Sequence, residues 1–518
     1  MTTVRAVTPP PRPATDTLAE LTRLFQGLHA ESIPYCHWKS NEHLRASLLG
    51  KTDLDLLVHR HAAQPLARVL SETSFKRFHT VPHVAYPGIE SYFGIDPQSG
   101  ALLHLHVHYQ LTLGEKDLKG YRLPWENVVL DTRVFDEEAA IYVADPNIEV
   151  LLLLVRAALK LRSRDRLSSL LGRAYFRGNA LRELRWLAAR AHTDRLVEHA
   201  RPLVGEQAAR QAVQLIGGPP PSVRGLTAFG RSIRPSLAEY RMYGALEARG
   251  RRWVREAARA WARLRERTPH TPAPTKRLVP QGGLLVAFVG LDGSGKSTLV
   301  GEITAWLSAL VDVVPIYLGS GKGPTSVARR LLQGVAALLR PVAPGSGEPE
   351  GRPTSDGEAP RRGQRSSWLR TCGELLWVVA LARERRRRLR QARRARNLGM
   401  VVVCDRFLQT QFPDFNDGPA FSHWLDERFW PLRAAAREEL AAIRAAELQP
   451  PDLVIRLHVR PEVAARRRPT MPLERLQQSA EKITRLRYPP ATRVVEINAD
   501  EPLEQVLLAV KRAIWESL

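Results

Sequence analysis

The sequence has few cysteines and no long hydrophobic segment. Its 518 residues include three cysteines, Cys36, Cys372 and Cys404, which lie far apart and without CxxC spacing. This argues against a disulfide framework and against a zinc site of the CxxC type, and it favours a reducing compartment. The longest apolar runs, such as 150–155 and 375–382, are far shorter than the ~18 residues of a membrane-spanning helix, and the N-terminal residues lack a signal-peptide core. We therefore expect a cytoplasmic protein without a transmembrane segment.

Acidic residues are outnumbered by basic ones. The chain has 77 Lys and Arg against 53 Asp and Glu, a net charge of +24, while 44% of its residues are hydrophobic, as in ordinary globular domains. The excess is concentrated, since residues 222–277 carry +10 and residues 381–396 carry +8. Because the rest of the chain is close to balanced, overall basicity is weak evidence for nucleic-acid binding, which must be judged segment by segment.

Composition and patterning divide the chain into segments. Residues 1–15 contain VTPPPRPAT and are expected to be a disordered leader, because consecutive prolines lack the donors that regular elements need. Residues 16–217 mix strand and helix patterns and predict an α+β domain with a helical tail, and a basic helical linker is expected at 218–280. Residues 281–518 alternate strand and helix, which predicts a parallel sheet with helices on both faces. Within them, 341–366 lacks apolar periodicity and is expected to be a disordered insertion.

A glycine-rich loop follows the first strand of the C-terminal domain. The apolar run at 284–289 leads directly into GLDGSGKST at 290–298 and then into a helical pattern, which is GxxxxGK[ST] in its strand–loop–helix context. Glycines let backbone N–H groups and the helix N-terminus approach phosphate oxygens closely. The lysine supplies positive charge to the β- and γ-phosphates, and the following hydroxyl can ligate Mg²⁺. The predicted ATP-binding residues here are Gly290, Gly293, Ser294, Gly295, Lys296, Ser297 and Thr298.

This loop resembles the thymidylate kinase family, and later segments resemble the same family. They are VVVCDRF at 401–407, PDLVIRLHV at 451–459 followed by RPEV, the arginine run at 466–468, and the closing strand and helix at 494–498 and 502–515. The resemblance implies a P-loop NTPase-type parallel sheet that uses ATP and Mg²⁺. It implies that Asp405 lies near the metal and the donor phosphates, and that Arg406 contacts the acceptor phosphate. It also implies that Asp292 helps to place the acceptor or metal, and it assigns the lid positions to the run 466–468, one of whose arginines would neutralise charge on the transferred group. Within this run, Arg466 and Arg467 are the predicted ATP-binding residues.

The acceptor of such a kinase is less well indicated. The family resemblance implies dTMP first, but YLGSGKG at 317–323 differs from the EPGGT-type stretch near the acceptor of true thymidylate kinases. Another nucleoside monophosphate, or a related small molecule, therefore stays open. The arginine-rich run 383–396 lies where the family has a helix with one acceptor-phosphate arginine, and we expect most of its arginines to face solvent.

Two carboxylates mark the N-terminal domain. Asp53 and Asp55 in GKTDLDLLV are two residues apart on a predicted strand, hence on one face, where they could share Mg²⁺. With Lys39-Ser40 before them, they resemble the glycine/serine turn and DxD of the nucleotidyltransferase superfamily. Such enzymes need a third carboxylate on a neighbouring strand. The candidate strand instead offers three histidines on one face, open to interpretation as a polar face, an anion-binding surface or metal ligands: His104, His106 and His108.

These patterns favour an ATP-dependent phosphotransferase of the thymidylate kinase type with a small-molecule phosphate acceptor. One alternative is a nucleotidyltransferase or bifunctional enzyme that uses Asp53 and Asp55. Another is a P-loop ATPase or switch that binds nucleic acid through basic helices, which we consider less favoured. A homodimer is open, and the sequence does not decide it.

Overall fold

The computed structural model divides the chain into two compact units. One contains the described residues up to 266 together with Pro274–Pro280, and the other contains residues 272 and 273 and the described residues of Gln281–Leu518. The residues described are 17–115, 117–161, 175–266, 272–309, 311–319, 362–413, 415, 418–469 and 471–518, without the side chains of 266 and 362–370. The expected leader and residues 341–361 of the expected insertion lie outside them. No helix among the described residues is long and apolar enough to cross a bilayer.

The first unit is built on a mixed sheet. Its strands are β1 (Tyr35–His37), β2 (Leu54–Val58), β3 (Lys76–Thr80), β4 (Ile89–Ile95), β5 (Leu102–His108), β8 (Val134–Asp136), β9 (Ile141–Val143) and β10 (Arg277–Leu278), with a separate hairpin of β6 (Leu111–Leu113) and β7 (Tyr121–Leu123). The strand order is β10-β3-β4-β5-β2-β1-β9-β8. Here β2 and β5 run parallel, whereas β4 and β5 pair antiparallel. This mixed sheet, together with the helices that flank it, agrees with the α+β pattern predicted from the sequence.

Helices cover this sheet and extend it into a helical layer. They are α1 (Ala19–Ala30), α2 (Leu44–Leu48), α3 (Ala63–Ser71), α4 (Glu126–Asp131), α5 (Pro146–Lys160), α6 (Asn179–Ala188), α7 (Thr193–Val204), α8 (Glu206–Ile216), α9 (Val223–Ser232), α10 (Arg234–Leu237) and α11 (Ala245–Glu266). The apolar run in α5 is fully buried from Val150 to Val155 and forms the centre of that layer's core. The side-chain carboxylate of Asp145 caps α5 by accepting from the Asn147 N–H at 2.7 Å.

Most of the segment 218–280, expected to be a linker, is part of the first unit, which includes its described residues up to 266 and Pro274–Pro280. Leu226 and Phe229 of α9 are completely buried in the core around α5. Further along, Arg252 of α11 pairs with Glu115 at 2.8 Å, and β10 adds a strand beside β3. Because an amphipathic helix must bury its apolar face, this segment packs on the nearest available core instead of spanning open solvent.

The second unit contains a five-stranded sheet whose strands are all parallel. They are β11 (Leu284–Gly290), β12 (Val313–Tyr317), β13 (Val401–Asp405), β14 (Leu453–His458) and β15 (Arg493–Asn498), in the order β12-β13-β11-β14-β15. The flanking helices are α12 (Lys296–Ser308), α13 (Arg362–Asn397), α14 (Trp430–Glu447), α15 (Pro461–Arg467), α16 (Leu473–Arg485) and α17 (Leu503–Ser517). This confirms the predicted parallel α/β sheet flanked by helices. The central strand β11 is buried at every residue, as its continuous apolar sequence requires.

Helix α13 departs from two expectations. It begins at Arg362, within the segment 341–366 expected to be a disordered insertion. Five of the nine arginines in its run 383–396 are exposed, as expected, but the others are partly or fully buried. Arg386 pairs with Glu438 at 3.0 Å, and Arg385, only 3% exposed, lies 3.5 Å from Glu439. Acidic residues of α14, distant in sequence, therefore hold part of the basic run.

Candidate functional site

The glycine-rich loop connects the central strand β11 to helix α12. Gly293 and Gly295 adopt φ angles of +89° and +87°, a region that residues with a Cβ rarely occupy. A Cβ on Gly293 would also lie 2.9 Å from the carbonyl oxygen of Ala464 in α15. The loop therefore requires glycine for its conformation and, at Gly293, for its close contact with the helix that carries the arginine run.

Lys296 begins α12 and folds back over the loop. Its side chain is 6% exposed, and its Nζ donates hydrogen bonds to the carbonyl oxygens of Gly290 at 2.8 Å and Leu291 at 2.6 Å. The same Nζ lies 3.9 Å from Asp292 Oδ1. Because charge-assisted hydrogen bonds to phosphate are stronger than those to a neutral carbonyl, a phosphate bound on the loop would compete well for this ammonium.

The neighbouring strand brings a carboxylate to the loop. Strand β13 pairs in parallel with β11, with Asp405 opposite Phe288, so Asp405 ends its strand beside the loop. Ser297 Oγ donates to Asp405 Oδ2 at 2.7 Å. Asp405 is 8% exposed, and its Oδ1 is buried without a hydrogen-bond partner among the described residues. A hydroxyl beside a carboxylate with a free oxygen is a hard oxygen donor set that fits Mg²⁺.

Positive charge gathers around Asp292 in the loop. Arg406 donates to Asp292 Oδ1 at 2.7 Å, and Arg468 lies 3.7 Å from the same oxygen. With Lys296 also near, three cations surround one carboxylate. Arg406 has φ +71°, an unusual conformation for a residue with a side chain, and such strain is found mostly at functional sites. The excess of cations suits an anionic ligand.

These residues line one cleft of about 850 Å³. Its walls are Asp292, Gly293, Gly295, Lys296, Ser297, Thr298, Tyr317, Asp405, Arg406, Arg467 and Arg468. Of the residues predicted from sequence, Gly290, Ser294 and Arg466 are not in this lining. Ser294 is a buried residue of the loop, and Arg466 is exposed.

Sequence reasoning gave no role to one cleft residue, Tyr317, and did not rank another, Arg468, above its neighbours. Tyr317 ends strand β12, opposite Asp405 on β13, and no motif marks it. Arg468 was not singled out within the run of three arginines, yet it is the member that approaches Asp292. Arg467 also lines the cleft while donating to the carbonyl oxygen of Ala499 at 3.1 Å. The run of three arginines in the sequence predicted that arginines contribute to the site. Which of them face the cleft depends on where helix α15 ends, which only the structure shows.

A second cluster of polar side chains lies in the first unit, on strands β2 and β5. Asp55 is in register with His106 on the parallel neighbour β5. Asp53 Oδ1 lies 2.6 Å from His104 Nδ1, and Asp55 Oδ1 lies 3.1 Å from His108 Nε2. His106 lies between the two carboxylates. The structure therefore brings the two predicted aspartates together with all three predicted histidines.

Burial controls protonation in this cluster. It lowers the pKa of His104 to about 4 and that of His108 to about 3, so both imidazoles are neutral at pH 7. Burial opposes ionisation of Asp55, but the ammonium of Lys39, 2.8 Å from Asp55 Oδ1, and bonds from His106 and His108 outweigh it and keep the pKa of Asp55 well below its usual value. Neutral imidazoles beside ionised carboxylates can ligate a metal ion.

The loop that carries Lys39 is held by a residue that no motif indicated. Glu149 of α5 accepts from the Asn41 backbone N–H at 3.0 Å and from Asn41 Nδ2 at 2.7 Å. Glu149 is 2% exposed, and burial raises its pKa to about 7 despite these bonds. The contact spans 108 residues of sequence, which local patterns do not reveal.

Helix α11 is the basic helix that we considered for nucleic-acid binding. Part of its positive charge is neutralised by acidic residues of the first unit. Arg252 and Arg259 pair with Glu115 and Asp117. Its exposed surface carries Trp253, which is 70% exposed, among the remaining arginines.

Comparison with known proteins gives two kinds of relative. No family model matches the chain. The uncharacterized ATP-binding protein YghR of Escherichia coli K12 is 28% identical over 251 residues, which are 47% of this chain and 90% of that protein, and the protein of the same name from strain CFT073 gives the same values. The uncharacterized ATP-binding protein YghS of E. coli K12 is 27% identical over 235 residues, 45% of this chain and 93% of that protein.

Proposed function

We propose that the second unit binds Mg-ATP in its cleft and transfers the γ-phosphoryl group to a small phosphorylated acceptor. The observation that carries the proposal is the pairing of Ser297 with Asp405 beside Lys296, at the carboxyl ends of adjacent parallel strands. The relatives named as ATP-binding proteins support the nucleotide. The resemblance to thymidylate kinases supports the reaction class, with dTMP as the first acceptor to test.

The residues of the cleft have distinct parts in this proposal. Loop N–H groups and Lys296 bind the β- and γ-phosphates, and Ser297 with Asp405 would hold the magnesium ion. Bound magnesium would neutralise negative charge on the phosphate oxygens. Arg406 and Arg468 stand where they can neutralise charge on the transferred group, since phosphoryl transfer relies mainly on positioning and electrostatics.

Asp292 is a positioning residue in this scheme. It accepts from Arg406 and lies near Arg468 and Lys296, so it holds three cationic groups at the loop. The cations outnumber the carboxylates of the cleft, Asp292 and Asp405. This balance favours an acceptor that itself bears a phosphate over an uncharged sugar or alcohol.

The test is ADP release from Mg-ATP by the full chain, against a panel of nucleoside monophosphates, sugar phosphates and sugars. We expect a phosphorylated acceptor to stimulate release in the wild type and in Lys482→Ala, a control on α16, but not in Lys296→Ala. Stimulation by uncharged acceptors alone would contradict the phosphorylated acceptor. ATP binding without stimulation by any acceptor would contradict the transfer while leaving nucleotide binding intact.

Nucleotidyl transfer at Asp53 and Asp55 is the second candidate. The contact of Asp55 Oδ1 with the Lys39 ammonium at 2.8 Å favours it, whereas the side chains that face Asp53 and Asp55 from β5 are histidines in place of a third acid. Product formation that is lost in Asp53→Ala and retained in Lys296→Ala would favour this candidate over the kinase.

A further inference from the structure

The cluster of histidines and aspartates on β2 and β5 offers more than the two carboxylates that its sequence pattern emphasised. Two sets of three side chains each place one ligand atom per residue within 4.8 Å of the others. One set is Asp53, His104 and His106, and the other is Asp55, His106 and His108. We propose that Asp53, His104 and His106 bind a divalent transition-metal ion such as Zn²⁺.

The distances are close to those of a metal site. Asp53 Oδ1 lies 2.6 Å from His104 Nδ1, and Asp53 Oδ2 lies 4.0 Å from His106 Nδ1. Ligand atoms ~2.0–2.1 Å from a tetrahedral zinc ion are ~3.3–3.4 Å apart, so small side-chain rotations bring the three residues to the ion. The pairing of Leu54 with Leu105 holds the start of β2, directly after Asp53, beside the part of β5 that carries His104 and His106.

The donor types favour a transition metal over magnesium. Two imidazole nitrogens and one carboxylate oxygen suit Zn²⁺ and related ions, whereas Mg²⁺ prefers oxygen ligands. His104 is held in place because its ring stacks on Phe93 with centroids 4.5 Å apart, and its side chain is 3% exposed. Asp53, 47% exposed, leaves the ion a route from solvent and a position for water or a substrate.

The neighbouring cations distinguish the two sets. The Lys39 ammonium lies 2.8 Å from Asp55 Oδ1 and competes with a metal at the Asp55 set. In the described part of the chain, Asp53 forms ion pairs with His104 and His106 and with no lysine. The Asp53 set is therefore the better site.

Arg277 of β10 limits the affinity of this site. Its Nη2 lies 3.3 Å from His106 Nε2, on the side of the ring away from Asp53. When His106 Nδ1 binds a metal, Nε2 carries the proton and needs an acceptor, as metal-bound histidines usually have. A guanidinium cannot accept, so Arg277→Gln replaces an opposing charge with a carbonyl that can.

The experiment measures Zn²⁺ binding to the full chain after chelator treatment, by titration calorimetry, with Mg²⁺ as the comparison ion. A Cys372→Ser background removes the half-buried thiol as a competing ligand. We expect one Zn²⁺ per chain, an affinity lowered at least ~10-fold in His106→Ala, and no change in His61→Ala, an exposed histidine of the same unit. Substitution with Co²⁺ should give visible absorption that His106→Ala changes and His61→Ala does not.

Arg277→Gln keeps the proposal testable even if His106→Ala misfolds. We expect it to tighten Zn²⁺ binding several-fold. No Zn²⁺ binding, an equal affinity in His106→Ala and His61→Ala, tighter binding of Mg²⁺ than of Zn²⁺, or an Arg277→Gln affinity no higher than that of the wild type would each overturn the site. None of these readouts depends on ATP turnover, so failure here is distinct from failure of the proposed kinase.

Discussion

The substitution Asp405→Asn tests whether the Asp405 carboxylate binds a ligand or only stabilises the fold. The Asp405 side chain accepts one hydrogen bond, from Ser297, and its other carboxylate oxygen is buried without a hydrogen-bond partner among the described residues. Asparagine keeps an oxygen that can accept from Ser297 and removes the buried negative charge. The substitution should therefore affect stability and ligand binding in different ways.

The magnitudes follow from these contacts. Leaving a buried polar group unsatisfied costs ~1–3 kcal/mol, and a hydrogen bond to a charged group contributes ~1.5–3 kcal/mol. Loss of the carboxylate charge removes both the destabilising cost of the unpaired oxygen and part of the stabilising bond from Ser297, so the two effects on the free energy of unfolding oppose each other. We expect the free energy of unfolding of the ligand-free protein to change by no more than ~1 kcal/mol. Binding of Mg-ATP should weaken by at least ~10-fold, which corresponds to ~1.4 kcal/mol.

Two assays measure these effects. Urea unfolding without nucleotide gives the stability, and titration calorimetry with ATP, with and without Mg²⁺, gives the affinity. The loss should be confined to the magnesium-containing titration, because in the proposed site Asp405 would contact the nucleotide only through the ion. A ligand-free protein destabilised by more than ~2 kcal/mol that still binds Mg-ATP like the wild type would refute the reasoning and make Asp405 a structural residue.

Three further predictions test the cleft and the loop of the first unit. Arg468→Ala should lower ADP release at least ~10-fold whereas its exposed neighbour variant Arg466→Ala should not, and equal effects on turnover would contradict the assignment. Gly293→Ala should abolish ATP binding, because the loop needs a φ of +89° at this residue and a Cβ would collide with α15; an unchanged ATP affinity would contradict this requirement for glycine. The control Gly301→Ala, in open space on α12, should raise the free energy of unfolding by up to ~1 kcal/mol in thermal unfolding. Because burial raises the pKa of Glu149 from 4.5 to about 7, the folded protein keeps a proton that the unfolded chain loses, so this group's contribution makes the free energy of unfolding fall as pH rises from 4.5 to 7. Urea unfolding at pH 5 and pH 8 should show a smaller fall in Glu149→Gln, and an equal fall in both proteins would contradict the assignment.

The second unit was largely predictable because its signals are local. An apolar run followed by a glycine-rich loop and a helix specifies β11 and α12 without distant contacts. The sheet edge could also be predicted, since parallel strands place their carboxyl ends together and Asp405 ends one of them. The choice among Arg466, Arg467 and Arg468 depends on where α15 ends, and helix ends are among the least certain features of a sequence pattern.

The parts that sequence did not reveal depend on contacts between distant residues. Composition could not show that Leu226 and Phe229 pack on α5, so the segment 218–280 was interpreted as a linker. Nor could it show that Glu149 holds the loop at Asn41, or that Glu439 lies beside Arg385. A run of like charges was interpreted as a solvated face because its partners lie on another helix.

The central proposal is transfer of the ATP γ-phosphoryl group in the second unit's cleft. The most direct test is to incubate the full chain with Mg²⁺ and ATP labelled at the γ-phosphate, together with dTMP and the other phosphorylated acceptors, and to identify the labelled product by mass spectrometry. We predict that the label appears on a phosphorylated acceptor, with unlabelled ADP as co-product, and that Lys296→Ala yields none. Label found only in inorganic phosphate, or in the same product at the same rate with Lys296→Ala, would contradict the proposal.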